Sequence, residues 1–341
     1  MRNETRELFN AFCENIAEMN MVGTVATRFN VDPTVQQRLV DRKHESQEFL
    51  NKVNFITVPE MEAKKVGLGI GSPITSNTDT SQPDARREPK DPTGLDEFGY
   101  RCRKNNQDTK LDYDKLDMWA KFKDFELRIQ NHIVQRQALD TIMIGFNGTS
   151  WAADSDLVAN PNLEDVNLGW LQNLRTDKST HVLDEVAGGV EAGKVTYGPA
   201  GDYSTLDALV YDAVNAMLPS WARNDTGLTC FVSWDLLDDK YFPLINQAID
   251  PTEQMARDTI MSTKRLGRRP AETPPYMPQG TIFVTRHDNL SVYEQEGKRR
   301  RHVKDEPEYD RVVDYQSSND AYVIEDYDFA CLIENVEYKA A

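Results

Sequence analysis

Long apolar runs are missing from this 341-residue sequence: none approaches the roughly 18 residues needed to cross a bilayer. The opening Met1-Arg2-Asn3-Glu4-Thr5-Arg6-Glu7 offers no apolar stretch of the kind that forms a secretion signal, so the expectation is a chain that stays in the cytoplasm. Cysteine is scarce, and Cys13, Cys102, Cys230 and Cys331 lie far apart; His44, His132, His181, His287 and His302 are equally dispersed. A zinc site needs ligands that converge to about 2 Å, which dispersed residues do not suggest, so structural thiols are expected and no metal ligand is assigned. Positive charge is in short supply as well. Lys and Arg number 39 against 56 Asp and Glu, for a net charge of −17. Such a surface repels phosphate, which disfavours bulk nucleic-acid binding, and it keeps a concentrated protein soluble. What remains is 39% hydrophobic and 28% charged, the make-up of a folded soluble protein long enough for two subdomains.

Leu8, Phe9, Phe12, Cys13, Ile16, Ala17 and Met19 recur at three- and four-residue spacing and predict an amphipathic helix. A second helix is expected from Asp32 as N-cap and Pro33 in the first turn, its stripe running through Val35, Leu39, Phe49, Leu50 and Val53. Val22 to Val31 joins the two without a pattern, and Phe55-Ile56-Thr57-Val58 reads as a strand; together these suggest an arm that reaches outward. Val66 to Ile70 alternates as a strand does, and a polar run follows, so Val66 to Leu111 reads as a long hairpin with no core of its own. Leu116, Trp119, Phe122, Phe125, Ile129, Ile133, Ala138, Ile142 and Phe146 mark a long helix of about 45 Å at 1.5 Å per residue, with Asp114 as N-cap and Asn147-Gly148 as its stop. Beyond it the reading alternates. Tyr203 to Leu218 is helical, Leu228 to Trp234 a buried strand, Leu236 to Gln247 a short helix, and Thr281 to Val284 and Leu290 to Tyr293 strands. Three more strands are expected between Tyr309 and Tyr338.

Few motifs carry chemistry. Gly188 to Lys194 fits Gly-x-x-x-x-Gly-Lys, but Val195 stands where a phosphate loop needs Ser or Thr, and Val195-Thr196-Tyr197-Gly198-Pro199 does not open a helix. Gly67, Gly69 and Gly71 fail as a dinucleotide fingerprint because Ser72-Pro73 follows. Asp238-Asp239 and Glu325-Asp326 are adjacent carboxylates. Neighbours on a strand point to opposite faces, so surface or intersubunit ion pairs are expected. The dense basic run Lys298-Arg299-Arg300-Arg301-His302-Val303-Lys304 is followed at once by Asp305-Glu306 and Glu308. It reads as a turn whose cations meet a neighbouring molecule's acidic face, and Lys264-Arg265 and Arg268-Arg269 read likewise. No catalytic, cofactor-binding or metal-ligating residue is assigned.

The order of arm, hairpin, long helix, mixed α/β region and returning strands resembles the α+β capsid fold of tailed phages, the HK-ninety-seven type. The sequence itself resembles the P-two-like major capsid proteins. The likeness lies in Leu116-Asp117-Met118-Trp119-Ala120, Asp124-Phe125, Leu127-Arg128-Ile129 and Gly145-Phe146-Asn147-Gly148. It continues in Gly169-Trp170-Leu171-Gln172, Leu206-Asp207-Ala208-Leu209-Val210, Asp239-Lys240-Tyr241-Phe242-Pro243 and Glu325-Asp326-Tyr327. The resemblance implies an N-terminal arm (1–65), an E-loop hairpin (66–111), a P-domain with the spine helix (112–201), an A-domain (202–301) and C-terminal P-domain strands (302–341). It implies self-assembly as hexamers and pentamers into an icosahedral shell that encloses double-stranded DNA without reading its sequence. A scaffolding protein or protease and a portal at one vertex would be the partners, assembly would take place in the host cytoplasm, and no cofactor would be needed. Relatives lose an N-terminal segment on maturation; here the cut is expected between Met21 and Asp32, in the unpatterned joint. The alternatives are a cellular encapsulating shell of the same fold and a cytosolic acid–base hydrolase.

Overall fold

The computed structural model describes residues 1–64, 69–70, 75, 77, 93–94, 98–119, 125–238, 240 and 264–340. The helices described from end to end are α1 (Asn3–Met19), α2 (Pro33–Ser46), α3 (Tyr113–Trp119), α4 (Phe125–Asn147), α5 (Trp170–Asp177) and α6 (Leu206–Met217). At the start of α2, Asp32 Oδ1 accepts from the Thr34 amide at 2.8 Å and Pro33 fills a first-turn position that needs no amide hydrogen. Asp114 is not a cap but sits in the first turn of α3, which opens one residue earlier at Tyr113. The expected long helix is present as α3 and α4, with residues 120–124 outside the described residues.

Two sheets organise the chain. The seven-stranded sheet is built around Arg311–Ile324. Along one side of this strand run Arg300–Glu306 and Leu290–Gln295, in register Val303↔Asp314 and Val292↔Tyr322. Along the other run Arg103–Asn106 and Thr109–Asp112. Phe29–Asn30 and Asn54–Val58 complete the edges, the latter parallel to Leu290–Gln295. The six-stranded sheet takes Val182–Leu183, Thr229–Val232, Arg265–Leu266, Arg269–Glu272, Ile282–Thr285 and Cys331–Ile333. Its central strands are apolar on both faces because both are covered. Cys230, Val232, Val284 and Ile333 pack with α6, while Phe231, Phe283 and Leu332 pack with Phe49, Phe146 and Trp170.

Close approach of α4 to α5 fixes glycine at two positions. A Cβ on Gly145 would lie 2.3 Å from the Trp170 ring, and one on Gly169 would lie 2.4 Å from the Ile144 carbonyl oxygen. Trp170, fully buried, donates its indole hydrogen to the Ser291 carbonyl at 3.0 Å and so ties the helices to the seven-stranded sheet.

Three expectations need correction. α1 does not reach outward: Phe9 and Ile16 are buried with Tyr113, Leu116, Val303 and Val312 of the same chain, because the sheet offers an apolar face that an amphipathic helix covers. α2 ends at Ser46, and Leu50 lies in a separate turn (Leu50–Lys52); the polar run His44 to Glu48 leaves no stripe to continue. The stretch from Gly99 onward is not coreless. Gly99–Arg101 pairs with Glu62–Lys64, the next two strands join the seven-stranded sheet, and Cys102 is buried with Tyr293, Ala321 and Val323. Its polar side chains find buried partners, which composition does not display. Most of the expected hairpin before Phe98, and residues 241–247 of the expected short helix, lie outside the described residues.

Candidate functional site

The glycine loop and the Glu325-Asp326 pair are occupied by neighbours within the chain. Lys194 ends the glycine loop with its ammonium 2.6 Å from Glu337 Oε2 and 3.3 Å from Glu191 Oε2, and these partners raise its pKa above the ordinary lysine value. Val195–Tyr197 then runs parallel to Val336–Tyr338 as a strand, so no helix N-terminus faces the loop. Glu325 accepts from the Tyr293 hydroxyl at 2.9 Å, whereas Asp326 Oδ1 accepts from the Asp328 amide at 2.8 Å. The two carboxylates serve different turns and do not act on a common atom. Gly67, Gly71 and Asp239 fall outside the described residues, while Gly69 lies in a two-stranded ribbon with Thr93–Gly94.

The dense basic run is a correction. It lies mostly in the strand Arg300–Glu306, and three of its cations, Arg299, Arg301 and Lys304, pair within the chain. Arg301 makes a two-pronged contact with Asp314 (3.1 and 2.8 Å), Arg299 donates to Glu294 Oε1 at 2.9 Å, and Lys304 pairs with Glu306 at 3.2 Å. The register Val303↔Asp314 sets acidic residues beside the run, and that proximity is not visible in sequence order. Near the other basic pairs, Lys264 lies over the Trp234 ring at 5.6 Å, and Arg269 donates to the carbonyls of Gly267 (3.1 Å) and Arg223 (2.5 Å).

Sequence reasoning missed a buried polar seam between α2, α4 and the seven-stranded sheet. Arg299 and Glu294 are a buried pair; Lys43 and Asp320 are buried beside them. Asp320 accepts from Ser318 Oγ (2.8 Å) and Asn105 Nδ2 (3.2 Å). Gln137 donates to Gln316, which donates in turn to Asp314. Burial, reinforced by the Arg299 charge, lowers Lys43 to about 8, and burial next to Glu294 raises Asp320. Two cations and two anions balance in the Lys43, Arg299, Glu294 and Asp320 group, so the seam can exist without stranding a charge. The one advance signal is the alternation of Asp314, Gln316, Ser318 and Asp320 along one face of a strand, which ordinarily marks a face in water.

Among the described residues nothing assembles a nucleophile, a base and an open cavity. Cys230 and Cys331 flank Val284 across three strands, and burial pushes both thiols up, Cys230 to about 12. Burial likewise pushes Cys102 up to about 12. His181 is buried, with Nδ1 2.9 Å from the Ala330 carbonyl oxygen, and His287 Nε2 lies 2.9 Å from Glu272 Oε2. Among the described residues no three of His, Cys, Asp and Glu gather as a metal site, and no helix is long and apolar enough to cross a membrane.

The comparisons with known proteins agree along the whole chain. The profile described as phage major capsid protein, P2 family, matches residues 8–336. The capsid protein of Escherichia phage P2 is 42% identical over 99% of this chain and 96% of its own length. The major capsid protein of Serratia phage KSP20 is 37% identical over 99% and 98%. A chain of the satellite phage P4 procapsid, solved with its size determination (Sid) protein, superposes with a TM-score of 0.81 at 40% identity and covers 99% of each chain. The capsid of an empty GTA particle, 17% identical with a TM-score of 0.50 over 86% of this chain and 90% of that one, shares the fold alone. That relatives at this identity are phage proteins sets the cellular-compartment reading aside. The chain belongs to the P2 family of phage major capsid proteins, which have the HK-ninety-seven-type fold, and it builds the virion shell from copies of itself.

Proposed function

We propose that the chain closes as hexamers and pentamers into an icosahedral shell around double-stranded DNA, and that it is not an enzyme. The observation that carries this reading is the full-length likeness to a subunit of a phage procapsid. A scaffolding protein or protease guides closure in the host cytoplasm, and a portal occupies one vertex. The chain holds no cofactor or metal. In this reading 1–65 is the N-terminal arm, 66–111 the E-loop hairpin, 112–201 the P-domain with the spine helix, 202–301 the A-domain and 302–341 the returning P-domain strands. Maturation removes a segment that ends between Met21 and Asp32, and the left-handed Met21 (φ 53°), 88% exposed, opens that joint to a protease. The acidic surface supports a lumen to which packed DNA does not adhere.

Electron microscopy of the chain co-expressed with its scaffolding protein tests this. Closed shells of uniform size are the expected outcome; a monodisperse protein that never assembles, or turnover in a hydrolase screen, counts against it. Intact mass of mature particles locates the cut.

A further inference from the structure

α2 is held firmly at both ends. Before it, Phe29–Asn30 pairs with the strand Arg300–Glu306, the Val31 amide donates to the Arg299 carbonyl at 2.9 Å, and the Asp32 amide donates to Asn20 Oδ1 at 3.1 Å. Beyond it, Phe49, Leu50 and Val53 are buried with Phe146 and Trp170, and Asn54–Val58 runs as a strand beside Leu290–Gln295.

Between these anchors the helix turns a polar face inward. Its buried residues are Gln36, Val40 and Lys43, spaced by four and three along one stripe. Val35, only half-buried, is its one contribution to an apolar cluster among the described residues. A cleft of about 380 Å³ is lined by Val35 and Leu39 from α2 and by Ile133, Val134 and Gln137 from α4. Both amide atoms of Gln36 lack a hydrogen-bond partner among the described residues, as does Gln137 Oε1. A buried polar atom without a partner regains one in water, and a cleft forgoes dispersion contacts. Undocking α2 therefore forfeits little packing and returns water to Gln36, Lys43 and Gln137.

The charges beneath the helix work in the same direction. Lys43 faces Glu294, Arg299 and Asp320 from the seven-stranded sheet and Asp140 from α4. Arg299 is paired with Glu294, Arg301 with Asp314 and Arg136 with Asp140, while Glu294 and Asp320 lie opposite each other in register. Burial raises Cys102 and Tyr322 nearby, so both stay neutral around pH 7. Burial lowers Lys43 to about 8 and raises Asp320 and Asp140, so the docked state favours the uncharged form of all three. In water each regains its ordinary value. Between pH 8 and 10.5 the lifted helix binds a proton at Lys43 that the docked one does not, so docking tightens as pH rises. On the acid side the docked seam holds a proton that the lifted one releases, so docking tightens again as pH falls toward the ordinary carboxylate value. Lifting is easiest in the neutral range, where all three are charged.

We propose that α2 is a strap that lifts from the polar seam while both of its anchors stay in place, and that the charge state of the seam sets how often it lifts. The inference does not rest on the shell-forming role. It makes α2 an element that can be repositioned while the rest of the subunit stays folded.

Hydrogen exchange of the full chain, read by mass spectrometry as protection factors, tests this. A 14-residue helix off its support is marginal in water, so lifting opens its amides to exchange. At pH 7 the amides of α2 should be at least about tenfold less protected than those of Asn54–Val58. Their protection should rise about tenfold from pH 7 to 9, and rise again from pH 7 to 5. Lys43→Met should give α2 the high protection at pH 7 and abolish the rise to pH 9. Gln36→Leu should raise protection at every pH and leave the rise intact. Protection of α2 equal to that of Asn54–Val58, or exchange of the two together, overturns the strap. Protection that is flat from pH 7 to 9 in the unmodified chain overturns its control by charge.

Discussion

The two sheets bury their residues in opposite ways. Thr229–Val232, Ile282–Thr285 and Cys331–Ile333 hide almost nothing but apolar atoms, and aromatic rings meet tilted or edge to face from Phe49 through Phe146 and Trp170 to Tyr322. The sheet centred on Arg311–Ile324 hides Asp314, Gln316, Ser318 and Asp320 instead, together with Lys43, Glu294 and Arg299. A dry core gains stability from area and shape, and it loses that gain when a side chain is removed. A polar seam gains little net free energy, yet every partner in it constrains direction, and removal of one member strands the rest. One half of the molecule is therefore a fixed block. The other face, over which α2 lies, is held by contacts sensitive to charge and pH.

Trp170→Ala should break the fixed block most severely, at about 3–5 kcal/mol from lost packing and the cavity left behind; denaturant unfolding measures it, and a loss below ~1 kcal/mol would mean the cluster can collapse. Arg299→Met should cost about 3 kcal/mol by leaving Glu294 buried without its partner, and adding Glu294→Leu should restore much of that loss. If the double variant is worse than the single one, the seam is not a matter of charge balance. Lys43 sharpens the contrast through pH. Its folded pKa, about 8, lies below the ordinary 10.5. Between those values the unfolded chain binds a proton that the folded chain does not, so stability contributed at this site rises with pH across the window, while below 8 the full cost persists. The integrated effect is on the order of 3 kcal/mol. Lys43→Met should remove that rise, and a wild-type-minus-variant difference that stays constant from pH 7 to 10 would place the ammonium in water. Asp32→Ala, which deletes only the cap of α2, should cost about 1 kcal/mol in the same unfolding assay.

These contrasts follow what the sequence could and could not reveal. The apolar block was legible: periodicity placed α6 and the strands at Thr229–Val232, Ile282–Thr285 and Cys331–Ile333, because apolar residues report their own burial. The stop of α4 at Asn147-Gly148 was legible for the same local reason. The seam was not, because Asp314 and Asp320 look like a solvated face until strands from distant parts of the chain supply their partners. The basic run misled in the same way: its counter-charges are near in register and invisible in order. The unexpected docking of α1 and of Gly99 to Asp112 has the same origin, since a segment that lacks its own core can still complete another.

The strand Arg311–Ile324 has a consequence in time. Its six companions in the sheet, from Phe29–Asn30 to Arg300–Glu306, are all synthesised before it. While the ribosome is still short of residue 324, the helices at the N-terminus have no finished surface to rest on, and the pairing of Asn54–Val58 with Ser291–Gln295 spans more than two thirds of the chain. Contacts so distant in sequence form late and slowly. A ribosome that stops early releases a fragment with open strand edges, fit for degradation and unfit for a lattice. The pairing of Arg311–Ile324 with strands made before it is thus the step that completes the seven-stranded sheet.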